Sequence, residues 1–210
     1  MGPDPDGQFW YQGLETSLVN NMMQNIEENS LSCITSVTLN FNFDGLPVYN
    51  SAKYQFWPIL ASVKNIPTLP PIIVGIYYGQ HKPNVQEYLA EFVKELSTIL
   101  KNGIKIKSNN QFIAVKIGCF ICDSPARAFI KGTVNYNHRQ GCTKCIAEGQ
   151  YFTEGHHMSF PRIDAELRTD VSFRNRLDED HHKEISPLEE LPIDLINDFV
   201  VADSLHLLEL

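Results

Sequence analysis

Val37-Thr38-Leu39-Asn40-Phe41-Asn42-Phe43-Asp44 alternates without a break: Val37, Leu39, Phe41 and Phe43 are apolar, while Thr38, Asn40, Asn42 and Asp44 are polar. A strand turns successive side chains to opposite faces, so this period of two predicts a half-buried strand with one face on a core. It stops at Gly45-Leu46-Pro47, where Gly admits an unusual φ and Pro fixes one. Gln55 to Val63 and Ile72 to Tyr78 also read as strands, linked by the Pro-rich Ile66-Pro67-Thr68-Leu69-Pro70-Pro71. The three predict an antiparallel meander.

Working outward, Tyr11, Leu14, Leu18, Met22 and Ile26 recur at three- and four-residue steps and predict an amphipathic helix leading into the domain. On the other side, the spacing predicts a helix over Val85 to Asn102. Asn84 would be its N-cap, Glu87 would complete a capping box and Gly103 would stop it. Val85, Leu89, Phe92, Val93, Leu96, Ile99 and Leu100 form its apolar stripe, and Glu91, Glu95 and Lys101 face elsewhere. Phe112 to Cys122 is almost continuously apolar and reads as a central strand covered on both faces, ending at Asp123. Ser124-Pro125 supplies a cap and a first-turn proline for a short helix, Ala126 to Lys131. Regular pattern fades from Asn135 onward, apart from a candidate terminal helix over Ile193 to Leu210. This order predicts an α/β fold, a mixed sheet with at least one helix on it. Its expected divisions are a helical lead-in (1–30), a sheet core (31–134) and a Cys-containing, acidic, partly helical extension (135–210).

The 210 residues, 43% hydrophobic and 20% charged, are enough for one ordinary domain or two small ones. Lys and Arg total 17 against 25 Asp and Glu, a net charge of −8, which at first argues against a nucleic-acid partner. The distribution changes that reading. Residues 164–210 hold 13 acidic and 4 basic side chains, whereas residues 53–144 hold 12 basic and 4 acidic ones, a basic body followed by an acidic tail. No apolar run approaches the roughly 18–20 residues of a membrane span, so no membrane partner is expected. The N-terminus has neither a basic nor an apolar leader region, and five cysteines are an odd count; both predict an intracellular protein with reduced thiols or metal-bound cysteines.

Asp44 and Asp123 occupy equivalent places, each after the apolar body of a strand and before a turn or helix. Two carboxylates at neighbouring strand ends could share divalent ions, and Mg²⁺ suits them because it takes carboxylate oxygens, retains water and bridges phosphates. Strand-end aspartates are common, however, and spacing alone favours a turn residue and a helix cap. Cys142-Thr143-Lys144-Cys145 suits half of a zinc knuckle, with His138, His156, His157, His181, His182 and His206 as candidate further ligands and two unligated thiols as the alternative. The pairs His156-His157 and His181-His182 read as exposed loop. Asp203 and His206, three apart in a helical pattern, could orient an imidazole toward a metal or form a surface ion pair. Arg127, Lys131, Arg139 and Lys144, with Lys101, Lys105 and Lys107, are candidates for a phosphate-facing surface; singly, each is a solvated cation.

The motifs taken in order carry a resemblance. Phe43-Asp44-Gly45-Leu46-Pro47 with Ser51, Gln55-Phe56-Trp57-Pro58-Ile59-Leu60, Gly79 with Lys82-Pro83, and Tyr88-Leu89 form the first half of the set. Cys122-Asp123-Ser124-Pro125-Ala126-Arg127, Gly141-Cys142-Thr143-Lys144-Cys145, Leu167-Arg168-Thr169-Asp170 and Asp203-Ser204-Leu205-His206 complete it. From about Tyr11 to the last residue the chain resembles DDE transposases of the CACTA, Mirage and Chapaev group. That resemblance implies an RNase H-like fold, with a sheet of five strands flanked by helices, that cuts and joins DNA with Mg²⁺ or Mn²⁺. Asp44 and Asp123 would match the first two catalytic carboxylates and Cys142 and Cys145 the paired cysteines. Asp203 with His206 would match the downstream Asp-x-x-His element; independently of the resemblance, Cys142, Cys145 and His206 are candidate ligands for a structural Zn²⁺, the remaining ligands being open. The partners implied are transposon ends and target DNA, with a homo-oligomer and a nuclear location. The family's third carboxylate, a Glu on a later helix, has no counterpart up to Leu210. The expectation is therefore the first part of a transposase or a degenerate copy, and the alternative is a non-catalytic, transposon-derived module that binds DNA or protein.

Overall fold

A computed structural model describes residues 7–49, 53–106 and 110–200. The chain divides into two compact units, Met1–Phe120 and Ile121–Leu210. Its class is mixed α/β, and no helix among the described residues is long and apolar enough to cross a membrane.

The first unit opens with β1 (Gln8–Tyr11), α1 (Leu14–Asn25) and a single-turn α2 (Glu28–Leu31). Next come β2 (Ser36–Phe43), the two-residue β3 (Leu46–Pro47), β4 (Gln55–Val63) and β5 (Ile72–Gly79). Then follow α3 (Val85–Asn102), β6 (Ile104–Ile106) and β7 (Gln111–Ile121), whose last residue begins the second unit. The strands run in the order β1-β5-β4-β2-β7, with β3 on β4 and β6 on β7. β2, β4 and β5 form the predicted antiparallel meander. β7 runs parallel to β2, because its contacts advance with it: the Ala114 N–H donates to the Thr35 carbonyl (2.9 Å), and the Cys119 thiol lies 3.3 Å from the Asn40 side-chain oxygen. The sheet is therefore mixed.

Alternation in β2 buries Val37, Leu39, Phe41 and Phe43 completely. Phe41 and Phe43 meet the edge of Phe92 on α3 at 5.1 and 5.6 Å, and Phe43 also meets Tyr88. The Tyr88 hydroxyl donates toward the carbonyls of Trp57 and Pro58, so the helix is tied to the sheet by polar as well as apolar contacts. The bounds of α3 match the expectation. The Asn84 side chain accepts from the N–H groups of Gln86 and Glu87, and Gly103 leaves the helix at φ 69°, where a Cβ would lie 2.7 Å from the Ile113 carbonyl oxygen.

Three expectations for this unit need correction. Tyr11 belongs to β1, which pairs antiparallel with β5, and the helix starts only at Leu14. Aromatic residues satisfy strand and helix alike, and only the partner strand decides between them. Glu95 does not simply face away from the core. Its carboxylate accepts from the backbone N–H groups of Leu14 and Glu15 (2.6 and 3.0 Å) and from the Tyr11 hydroxyl (2.5 Å), capping α1 from α3 where Gly13 offers no side chain. Burial, followed by this bond to Glu95, pushes the Tyr11 phenol well above its ordinary range. Lastly, β7 is not covered on both faces, since Phe112, Ala114 and Lys116 are exposed.

The second unit holds α4 (Ser124–Ile130), a small hairpin of β8 (Gln150–Phe152) with β9 (His157–Ser159), α5 (Asp170–Arg174) and β10 (Phe199–Val200). Two 3-10 turns, Glu179–His181 and Pro187–Glu190, lie between α5 and β10. Asp123, not Ser124, is the N-cap of α4, its Oδ1 accepting from the Ala126 N–H at 2.6 Å. The candidate helix from Ile193 does not form up to Val200: Asp194 Oδ1 accepts from the N–H groups of Ile196 and Asn197, making an Asx turn that leads into β10. Residues 201–210 lie outside the described residues.

Phe41→Ala should destabilise the chain by about 3–5 kcal/mol, the cost of deleting a buried aromatic ring, whereas Phe112→Ala on the exposed face should change stability by less than about 0.5 kcal/mol. Urea denaturation followed by circular dichroism reads both, and similar losses would contradict this assignment of faces.

Candidate functional site

The two aspartates begin from similar local positions. Asp44 is the residue after β2, and its Oδ1 accepts from the Gly45 N–H at 2.7 Å. Asp123, two residues past the end of β7, is the cap described above. Each carboxylate is thus oriented by a backbone donor, which matches the structural alternative and also holds the group in place. Carboxylate oxygens are the donor type Mg²⁺ and Mn²⁺ accept, and Mg²⁺ completes its shell with water and phosphate oxygens. The fit is one of donor type. No group of three or more His, Cys, Asp or Glu side chains that could hold a metal ion occurs among the described residues.

The cysteine pair comes together as the spacing predicts, with the sulfurs of Cys142 and Cys145 3.3 Å apart. Burial alone would raise the Cys142 thiol. The backbone N–H groups of Lys144 and Cys145, the bond from the Cys145 thiol and the nearby Arg168 charge outweigh it and hold Cys142 below the ordinary cysteine value. Cys145 is raised, first by burial and then by its bond to Cys142. The candidate histidines have other partners. His138 Nδ1 accepts from the Gln140 N–H, His156 pairs with the Tyr151 hydroxyl, and His157 stacks on Phe152. Asp203 and His206 lie outside the described residues.

His181 and His182 are not exposed loop. His181 is fully buried, its Nδ1 donating to the Gln140 carbonyl at 2.7 Å, and His182 packs edge-on against Phe173 at 4.5 Å. Burial, aided by the charges of Arg168 and Arg176 respectively, lowers them to about 3 and about 4, so both are neutral at pH 7.

The cations of this unit differ most from expectation. Arg127 and Lys131 are 4% and 1% exposed, neither phosphate-facing nor solvated. Arg127 donates to the Val200 carbonyl and the Ser124 hydroxyl. The Lys131 ammonium sits over the rings of Phe173 and Phe199, at 4.8 and 5.1 Å. Burial, then the charges of Arg127, Lys144 and Arg168, bring its pKa down to about 7, with Asp194 opposing. Lys144 is turned to the Ile196 carbonyl. Arg139 alone of the four is exposed, paired with Glu148 at 2.7 Å.

Sequence reading missed Arg168 as a structural residue. It donates to the Cys142 carbonyl and forms an ion pair with Asp178 at 2.6 Å, while Thr169 caps α5 and Asp170 accepts from Arg174 and the Leu195 N–H. The Leu167-Arg168-Thr169-Asp170 motif therefore has a folding role in these contacts, and the sequence signal for it was Thr169 three residues ahead of Ser172. Beside Arg168 lies a pocket of about 370 Å³ whose lining includes Glu148, Glu166, Asp178 and Asp180, the wrong charge for a phosphate. The chain matches no protein-family model and no curated protein.

Lys131 makes a pH prediction with a definite sign. Its folded pKa, about 7, is below the ordinary 10.5, so between these values the unfolded chain binds the extra proton. Stability should rise as pH climbs from about 7 toward about 10.5 and should show no such rise from this residue below about 7. Lys131→Met, which keeps the packed stem and removes the charge, should flatten that rise. Denaturation of both proteins at about pH 7 and about pH 9.5 reads the difference, and equal slopes would contradict it.

Proposed function

We propose that this chain is the RNase H-like part of a DDE-type DNA transposase, with Asp44 and Asp123 as carboxylate ligands for Mg²⁺ or Mn²⁺ and DNA as the partner. The observation that carries the reading is the parallel pairing of β2 with β7 inside the mixed sheet of the first unit, each strand running toward an aspartate. Active-site groups in α/β sheets gather at the carboxyl ends of such strands, where the backbone is rigid and the side chain reaches the surface. When bound, the divalent ions would activate an attacking oxygen and stabilise the leaving one in an in-line displacement at phosphorus. The chain's own contribution is orientation, since Gly45 and Ala126 each hold one oxygen of a carboxylate through a backbone N–H. Cys142, Cys145 and His206 are the proposed structural zinc ligands, for which the close sulfur pair is the support.

A second reading, a non-catalytic transposon-derived module, is favoured by the lack of any third metal-ligating side chain grouped with others among the described residues. A plasmid-nicking assay separates the two. On the catalytic reading, supercoiled DNA is nicked in Mn²⁺, and Asp44→Asn or Asp123→Asn lowers the rate by at least about 100-fold with the circular dichroism spectrum unchanged. Asparagine at 123 can still cap α4, which separates chemistry from folding. DNA binding without nicking, unchanged by either substitution, would establish the second reading instead. For the zinc proposal, elemental analysis should find about one zinc per chain after dialysis and none in Cys142→Ser; a metal-free wild type would refute it.

A further inference from the structure

Both long helices of the first unit, α1 and α3, pack on the sheet face that carries Phe41 and Phe43. The opposite face mixes aromatic, polar and cationic side chains with the aliphatic Leu60 and Ile73. Strand pairing assigns it Trp10 on β1, Ile76 and Tyr78 on β5, Phe56 on β4 and Asn40 on β2. β7 adds Phe112 and Lys116, and β6 adds Lys105. A Cβ on Gly118 would meet the side chains of Asn40 and Thr38, which shows that this row of β7 continues the polar face of β2.

None of β1 to β7 contains a single Asp or Glu. Lys64 stands opposite Thr38, and Lys64, Lys105 and Lys116 are all exposed. Large rings stand in solvent: Phe112 is 65% exposed, Trp10 51% and Phe56 39%. The Lys105 ammonium lies 5.6 Å from the centre of the Phe112 ring, bringing cation and aromatic plane together. Toward the other end of the face, Tyr78 stacks on Tyr54 at 5.1 Å and lies beside Phe56. Along β4, the eight residue steps from Phe56 to Lys64 separate these ends by about 26 Å.

We infer that this sheet face binds single-stranded nucleic acid, with bases stacking on Phe112, Phe56 and Trp10 and phosphates on Lys64, Lys105 and Lys116. Lysines without acids among them select a polyanion. Exposed rings select one whose bases are not already paired and stacked, because a duplex offers only its edges and backbone. An anionic lipid surface would satisfy the lysines and leave Asn40 and Thr38 unused. Asp44 continues the row of Thr38 and Asn40 just past the end of β2, but binding at this surface needs no metal.

The test is fluorescence anisotropy of labelled oligothymidylate with the full chain in buffer without Mg²⁺, Mn²⁺ or chelator, so failure of the catalytic-metal reading does not affect it. Binding should be tighter than to a duplex, should quench tryptophan emission through Trp10, since Trp57 is 2% exposed, and should weaken with salt. Phe112→Ala should weaken it by about fivefold or more, with Phe112→Tyr restoring it, and Lys105→Glu with Lys116→Glu should weaken it and shallow the salt slope. No binding, equal or tighter duplex binding, or competition by heparin and anionic vesicles with Phe112→Ala neutral would overturn the inference.

Discussion

The first unit depends on the contact between β2 and α3. Phe41 and Phe43 reach Phe92 and Tyr88 only because alternation in β2 sends both rings to one face and because α3 carries its apolar stripe at helical spacing. Neither element would be stable alone: a lone strand exposes its ladder groups, and the apolar stripe of α3 would face water. Packed together, they set the plane from which β4, β5 and β7 extend and fix which face of the sheet remains open. Glu95 extends the same logic. Once α3 is docked, its carboxylate stands where the N-terminus of α1 has unsatisfied N–H groups, and one side chain joins strand, helix and helix.

The second unit is organised differently. It has few regular elements, and its interior mixes Phe173, Leu188 and Phe199 with Arg127, Lys131, Arg168 and His181. A buried cation is costly unless it is paired, bonded or neutralised, and each of these solutions is used here. Arg168 is paired with Asp178, Arg127 is bonded to a carbonyl, and Lys131 is held between aromatic rings with its affinity for a proton reduced. The motif residues in this unit have structural roles first. Any chemistry proposed for Asp123 or the cysteines therefore rests on a scaffold that has to accommodate buried cations.

The charge count takes on a different meaning in this light. A block rich in Lys and Arg looked like a polyanion-binding body, yet Arg127 and Lys131 are interior and Lys144 is committed to a carbonyl. Exposed cations of that block remain on α3 (Lys94, Lys101), at Lys53, Lys82 and Arg139, and on the open sheet face of the first unit, where Lys105 and Lys116 accompany Phe112.

Local pattern was enough for the meander, the span and caps of α3, the end of β2 at Phe43 and the proximity of the two cysteines, because each depends on residues within a few positions of one another, whereas Leu46-Pro47, read as a turn, became β3 through its pairing with β4. It also placed Asp44 and Asp123 at strand ends. What it missed was set by partners distant in sequence. Tyr11 became a strand residue through β5, Glu95 became a cap through α1, and Lys131 became an interior residue through Phe173 and Phe199, some 40 to 70 positions away. Periodicity measures the preference of a segment for a face, whereas burial of a charge and capping at a distance depend on what the fold brings against that face. The sequence by itself determined the meander and α3, and the tertiary structure decided the short paired strands and which of the charges meet water, because both depend on what lies opposite a segment.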